Sequence, residues 1–225
     1  MEPSRDLFNF PLANFKSSGY DLRMTAMRTK IMAIFAAAII LIVTSGAAAQ
    51  THEKPSTGTV AQGLKTNEIV FTAPRPFNHK SGWFSLAIPG NWSVTDKSDE
   101  SEMVVSLADP TENGILVVRV YRSGKQYSEA ELGALLKTFL NERLGSFDGF
   151  SMGEPTSQND GSVGLFFKYD SVVEGLTYKM NGNAFIEQQN GLLAVLTLIL
   201  PQDQYEQKKK AALELVNSFK LTGRP

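Results

Sequence analysis

The 225-residue sequence contains no cysteine. Disulfides, thiolate metal sites, cysteine nucleophiles and a lipid-anchor cysteine are therefore excluded. Histidine is scarce: the two present are His52 and His79. His52 lies in a stretch without hydrophobic periodicity. His79 falls just outside the strongly patterned region, and neither is expected to pair with a buried nucleophile. Serine–histidine and cysteine–histidine mechanisms thus lack their base. The P-loop and the dinucleotide fingerprint G-x-G-x-x-G are also absent. A formal net charge of -1 supplies no field for nucleic acid. Paired carboxylates remain chemically available, as in glycosidases, but no spacing marks such a pair. These absences predict a non-enzymatic protein without catalytic residues or cofactor, and a carboxylate-based hydrolase is the remote alternative.

What is present begins with an N-terminal address. Arg28 and Lys30 precede the apolar run Ile31 to Val43, followed by small residues ending in Ala47-Ala48-Ala49. Basic residues, a short apolar run and small residues read as a secretory signal peptide over 24–49, cleaved after Ala49. The run is shorter than the about 20 residues of a spanning helix. Extended to Ala49 it approaches that length, so an uncleaved N-terminal anchor is the alternative. Residues 1–23 carry Glu2, Asp6 and Asp21, unusual before a signal peptide. They read as an over-extended start, with Met24 or Met27 as the true one, or as a cytoplasmic tail. From Gln50 onward there are 17 basic and 20 acidic residues. The expected location is periplasmic or extracellular, or lumenal in a photosynthetic organism.

Residues 50–79 read as a flexible linker rich in Thr, Gly, Pro, Gln and Lys. Within it Glu68 to Thr72 has the pattern of a short edge strand, which Pro74 and Pro76 are expected to end. One domain is expected over 80–222. Phe84, Leu86 and Ile88 alternate, Pro89-Gly90-Asn91 interrupts, and Trp92 and Val94 resume the alternation, predicting a hairpin. Ser101 to Leu107 and the β-branched Ile115 to Tyr121 predict two further strands. Ser128 with Glu131 forms a capping box ahead of Leu132, Leu135, Leu136, Phe139 and Leu140, one face of a helix that Gly145 ends. Three long strands follow, over Val163 to Val173, Leu176 to Ile186 and Leu192 to Leu200. Asn190-Gly191 turns the last pair. The third strand is apolar on both faces and must be covered on both sides. Pro201 ends it, and a second helix is expected from Asp203, with Glu206 in capping-box position and Tyr205, Ala212, Leu215, Val216 and Phe219 inward. The sum is the α+β class: an α/β/α sandwich with a central antiparallel sheet flanked by helices.

The densest acidic cluster offers Asp96, Asp99, Glu100 and Glu102 as weak candidate ligands for Ca²⁺ or Mn²⁺. Their spacing does not match an EF-hand, and the cluster reads equally as a solvated loop, so no metal is assigned. Lys208, Lys209 and Lys210 present either a site for acidic lipid or protein or simply an outer helix face. Trp92 and Tyr178 are expected in the core rather than in a binding pocket. Asn91-Trp92-Ser93 matches the weak N-glycosylation pattern.

The order of these pieces resembles the PsbP family and its relatives, which include the photosystem II extrinsic proteins, the bacterial envelope protein DcrB and a nuclear-import factor that binds Ran. The resemblance covers about residues 80–222. It is carried by Pro89, Gly90 and Trp92 after the first strand, by Pro201 at the last strand–helix junction, and by Ser218-Phe219. It implies an α/β/α sandwich and a non-catalytic role that binds or stabilises a larger assembly. The expected function is an exported accessory protein with a protein partner in or near the membrane. A module binding a small apolar ligand or lipid is the alternative. The sequence names no binding residues, partner or oligomeric state.

Overall fold

The computed structural model describes residues 66–173 and 175–223. The expected signal peptide and N-terminal extension lie outside these residues. Eleven strands and two helices occur among the described residues. In chain order these are β1 (Pro74–Asn78), β2 (Phe84–Pro89), β3 (Ser93–Asp96), β4 (Glu102–Ala108), β5 (Ile115–Arg122) and α1 (Glu129–Leu144). Then come β6 (Ser151–Met152), β7 (Thr156–Ser157), β8 (Val163–Val173), β9 (Leu176–Gln189), β10 (Leu192–Pro201), α2 (Gln202–Asn217) and β11 (Lys220–Leu221). An eight-stranded antiparallel sheet runs β3-β4-β5-β10-β9-β8-β6, with β7 also on β8, and a three-stranded sheet runs β1-β2-β11.

The doubly apolar β10 explains the layering. Its even-numbered residues Leu192 to Leu200 join a core with alternate residues of β4 and β5, the buried side of α2 and the small sheet. Its Val195 and Ile199 join a second core with β8, β9 and Leu132, Leu136, Leu140 and Leu144 of α1. Side chains alternate faces along a strand, so one strand serves both cores. This is the expected α+β sandwich, with α1 on one face of the large sheet and α2 plus the small sheet on the other.

The Ser128–Glu131 capping box forms as expected: the Ser128 N–H donates to the Glu131 carboxylate at 2.8 Å, and the Ser128 side chain accepts from the Glu131 N–H. Those bonds hold Glu131 down at about 2. Four details differ from expectation. The predicted hairpin around Pro89-Gly90-Asn91 does not form, because β2 pairs with β1 and β11 while β3 pairs with β4. The chain crosses between sheets there, held by Gly90 N–H on the Ala73 carbonyl and Asn91 on Thr72. The folded region also begins before residue 80: Ile69 is fully buried, its N–H donates to Gln204 at 2.8 Å, and 68–72 is an extended strap, not a strand. The strand lies at β1 instead, with Pro74 and Pro76 inside it. An edge strand with one free side tolerates proline. Finally, α2 starts at Gln202 behind Pro201 without a side-chain cap. Asp203 accepts from Thr66 and Glu206 pairs with Lys209, so the capping box expected there is absent.

Candidate functional site: the uncovered quarters of the sheet

Each helix covers only part of the eight-stranded sheet. The face packed by α1 is filled over β8, β9 and β10, but over β3, β4 and β5 it has no covering layer among the described residues. Register fixes what lies there. Ser93 faces Ala108 and Thr95 faces Ser106 across β3–β4; Ala108, Ser106, Val104 and Glu102 stand beside Ile115, Val117, Arg119 and Tyr121 of β5. The floor is therefore made of small or β-branched side chains, and the charge gathers at one end.

At that end Arg119 donates to the Glu102 carboxylate at 2.5 Å, with their side chains only 14% and 22% exposed. Tyr121 lies against the same carboxylate and packs on the second core. Burial, then the Glu102 hydrogen bond and charge, push its phenol up to about 12, so it stays a neutral hydroxyl across the physiological range. From the last turn of α1 comes Arg143, stacked over Phe139 at 5.5 Å. Burial, then the nearby Arg119 charge, lowers its pKa. Among the described residues no carboxylate lies within ion-pair distance of Arg143, although Glu102 and Glu142 are close enough to favour its charge. Arg119 is thus closely paired with Glu102, whereas Arg143 is exposed and has no such partner among the described residues.

The acidic residues suggested as metal ligands are dispersed. Asp96 contacts Lys80 at 3.0 Å and accepts from the Ser98 N–H, and the Ser98 hydrogen bonds are the main reason its carboxyl is held well below the usual range. Asp99 caps its own turn through Ser101 and Glu102 N–H groups. Glu100 is exposed, and Glu102 faces Arg119 on the sheet. No group of three possible ligands occurs among the described residues.

His79 departs most from expectation. It is inside the domain and buried, its ring stacked flat on Phe84 at 4.8 Å. Nδ1 accepts from the Ser81 N–H and lies 2.8 Å from Ser81 Oγ. Nε2 therefore carries the hydrogen and faces Ser98 Oγ at 3.2 Å and Asp96 at 3.4 Å. Hydroxyl, imidazole and carboxylate stand in the order of a hydrolase relay. Yet the Nδ1 lone pair already serves a backbone N–H, and Ser81 Oγ accepts from the Trp83 N–H. The cluster ties the β1–β2 turn to the β3–β4 turn, and so one sheet to the other. Sequence spacing hid it because Ser98 and Asp96 are far along the chain.

The remaining candidates resolve simply. Trp92 is buried in the first core, against Phe71 at 5.2 Å, and Tyr178 packs at the edge of the second. Lys208 and Lys209 are paired with Glu68 and Glu206, leaving Lys210 exposed. An open groove of about 490 Å³ beside α1 is lined by Glu129, Gly133, Lys137, Glu154, Pro155 and Val163 among others, and a Lys137–Glu154 ion pair lies across it. Two residues that sequence reasoning missed are Arg119 and Arg143. Arg119 is the one charge inside Ile115 to Tyr121 and shares a face with Tyr121, which was a legible sign that this face is not core.

The fold is the PsbP-like sandwich. The chain superposes on the cyanobacterial PsbP of Synechocystis sp. PCC 6803 with a TM-score of 0.52 at 15% identity, over 70% of this chain and 97% of that one. The Ran-binding protein Mog1p of Saccharomyces cerevisiae gives 0.44 at 8% identity, over 67% and 96%. LpqN, involved in cell envelope biogenesis of Mycobacterium tuberculosis, gives 0.41 at 15% identity, over 67% and 91%. No protein-family model and no curated protein matches the sequence.

Proposed function

We propose that this chain is an exported, non-enzymatic accessory protein that docks onto a protein assembly at or near the membrane through the uncovered face of β3, β4 and β5. The observation that carries the reading is that face: a shallow floor of Ser93, Thr95, Ser106 and Ala108, rimmed by half-buried, pre-positioned Arg119, Glu102 and Tyr121. Ion pairs fixed before contact lose less conformational entropy on binding, which suits recognition. The fold shared with cyanobacterial PsbP is consistent with an accessory role, and the N-terminal pattern of basic, apolar and small residues supports export. No helix among the described residues is long and apolar enough to cross a membrane.

The test is site-specific photo-cross-linking of the full chain in its own envelope fraction, with the reactive group at Ser106. One stoichiometric protein adduct is expected. A monomer without adducts at Ser106, under conditions where a co-purifying small ligand appears by native mass spectrometry, overturns the reading.

A further inference from the structure

The edge of a β-sheet presents backbone N–H and C=O groups without partners, and folded proteins blunt such edges. Three of the four sheet edges here are blunted. At β1, the Gly90 N–H donates to the Ala73 carbonyl and the His79 N–H to the Phe84 carbonyl. Carried along the β1–β2 register, this alternation turns Pro74 and Pro76 to the free side, where they supply no donor. β11 is two residues long. β8 is covered by β6 and β7, and its Asp170 N–H donates to the Asp148 carbonyl at 2.7 Å. β3 is the exception. The Lys97 N–H donates to the Val104 carbonyl at 2.8 Å and the Asp99 N–H to the Glu102 carbonyl at 2.9 Å. Carried along the β3–β4 register, that alternation turns the backbone groups of Ser93 and Thr95 to β4 and those of Val94 and Asp96 outward. Among the described residues nothing pairs with the outward N–H and C=O of Val94 or Asp96. β3 carries neither proline nor lysine, and it borders the uncovered floor.

We infer that the free edge of β3 receives an extended segment of the docked partner protein as a further strand of the large sheet. This rests on the docking reading above and names the kind of segment the partner supplies. Val94 and Asp96 repeat the same donor and acceptor pair about 7 Å apart along the strand. An extended polypeptide answers both kinds of group, whereas a phosphate headgroup offers acceptors alone. On the open face the added side chains lie beside Ser93 and Thr95 and widen the floor. On the other face they lie beside Val94, which packs against the first core, and Asp96, which Lys80 pairs at 3.0 Å. Neither row presents an unbalanced charge, so small and β-branched side chains suit the incoming strand.

The experiment titrates the isotope-labelled full chain with an acetylated, amidated peptide, Lys-Thr-Val-Thr-Val-Thr-Lys. NMR follows the shifts and hydrogen exchange of the Val94, Thr95 and Asp96 amides. Saturable binding that slows exchange at Val94 and Asp96, but not at Thr95, is expected. The same peptide N-methylated at its inner residues has no N–H to donate there and is expected to leave these amides unchanged. Val94→Pro copies the β1 arrangement, removing an outward donor that the β3–β4 ladder does not use. It is expected to weaken peptide binding about tenfold, read at Asp96, with little change in thermal midpoint. Val94→Ala keeps the N–H and is expected to stay within about twofold of wild type. The inference is overturned by an unprotected edge, by equal protection from the N-methylated peptide, or by undiminished binding to Val94→Pro. Protection that appears without peptide and rises with protein concentration also overturns it, since a second copy of this chain then fills the edge. Ser106 cross-linking separates the two claims. If the peptide protects the edge while Ser106 yields no adduct, the docking face falls and the strand site stands. If Ser106 cross-links equally in wild type and Val94→Pro and the peptide gives no protection, docking stands and the strand site falls.

Discussion

Over β3, β4 and β5 the uncovered face carries small side chains and a locked Arg119–Glu102 pair, whereas over β8 and β9 the opposite, partly covered face carries Phe166, Lys168, Asn183 and Glu187. The second region leans on α2: Phe166 meets Tyr205 edge-on at 5.6 Å and the Tyr205 hydroxyl donates to Asn183. There Glu187 has been pushed up to about 7, by burial first and the Asp160 charge second. The two regions exist for one reason: an eight-stranded sheet is wider than a single helix can cover. They differ in what the surrounding structure does with the exposed strip. One carries small side chains and a closely paired Arg119–Glu102. The other is already partly roofed by α2 and holds an unfavourable carboxylate. A strip of small side chains with a pre-set ion pair is the better candidate for the proposed docking.

Breaking the shared core should have the largest effect. Leu198, fully buried in β10, is expected to lose about 3 kcal/mol of stability as Leu198→Ala, read by denaturant unfolding. Gly182 is next. A methyl there would meet Phe167 at 2.3 Å and the Leu198 carbonyl at 2.6 Å. Gly182→Ala is expected to cost about 2 kcal/mol by overpacking, with a lower thermal midpoint as readout.

Glu187 sharpens the comparison through pH. Its folded pKa lies above the unfolded one, so between about 4.5 and 7 the folded state holds the extra proton. Stability from this group is therefore highest below that window and falls as pH rises through it. Glu187→Gln is expected to stabilise by on the order of 1–2 kcal/mol at pH 8 and by little at pH 4. A pH-independent effect would contradict the burial of this carboxylate. The smallest effect is expected at Ser106→Ala, within about 0.5 kcal/mol of wild type, because that floor supports no core.

How far the fold was legible depended on what each pattern encodes. Alternation identified β8, β9 and β10, and the run of apolar residues on both faces of Leu192 to Leu200 required two covering layers. Alternation says that a segment is a strand but not which strand it joins. Hence Phe84–Ile88 and Trp92–Val94 read as one hairpin, although they belong to different sheets. β1 was hidden because its prolines argue against a ladder unless the strand is known to be an edge, which is a tertiary fact. The candidate site was least legible. His79 finds Asp96 and Ser98 only after two turns meet. Glu102 reads as one more acid of the 96–102 cluster until the β4–β5 register sets it diagonal to Arg119.

The most direct test of the docking face fills it. Ser106→Trp places a bulky ring on the half-buried floor, and Lys168→Trp places one on the β8–β9 side. Association of the full chain with the proposed envelope partner is measured for both by quantitative cross-linked pull-down, alongside their thermal midpoints. The account predicts that Ser106→Trp abolishes capture with an unchanged midpoint while Lys168→Trp binds like wild type. Full capture by Ser106→Trp, or loss confined to Lys168→Trp, would contradict it.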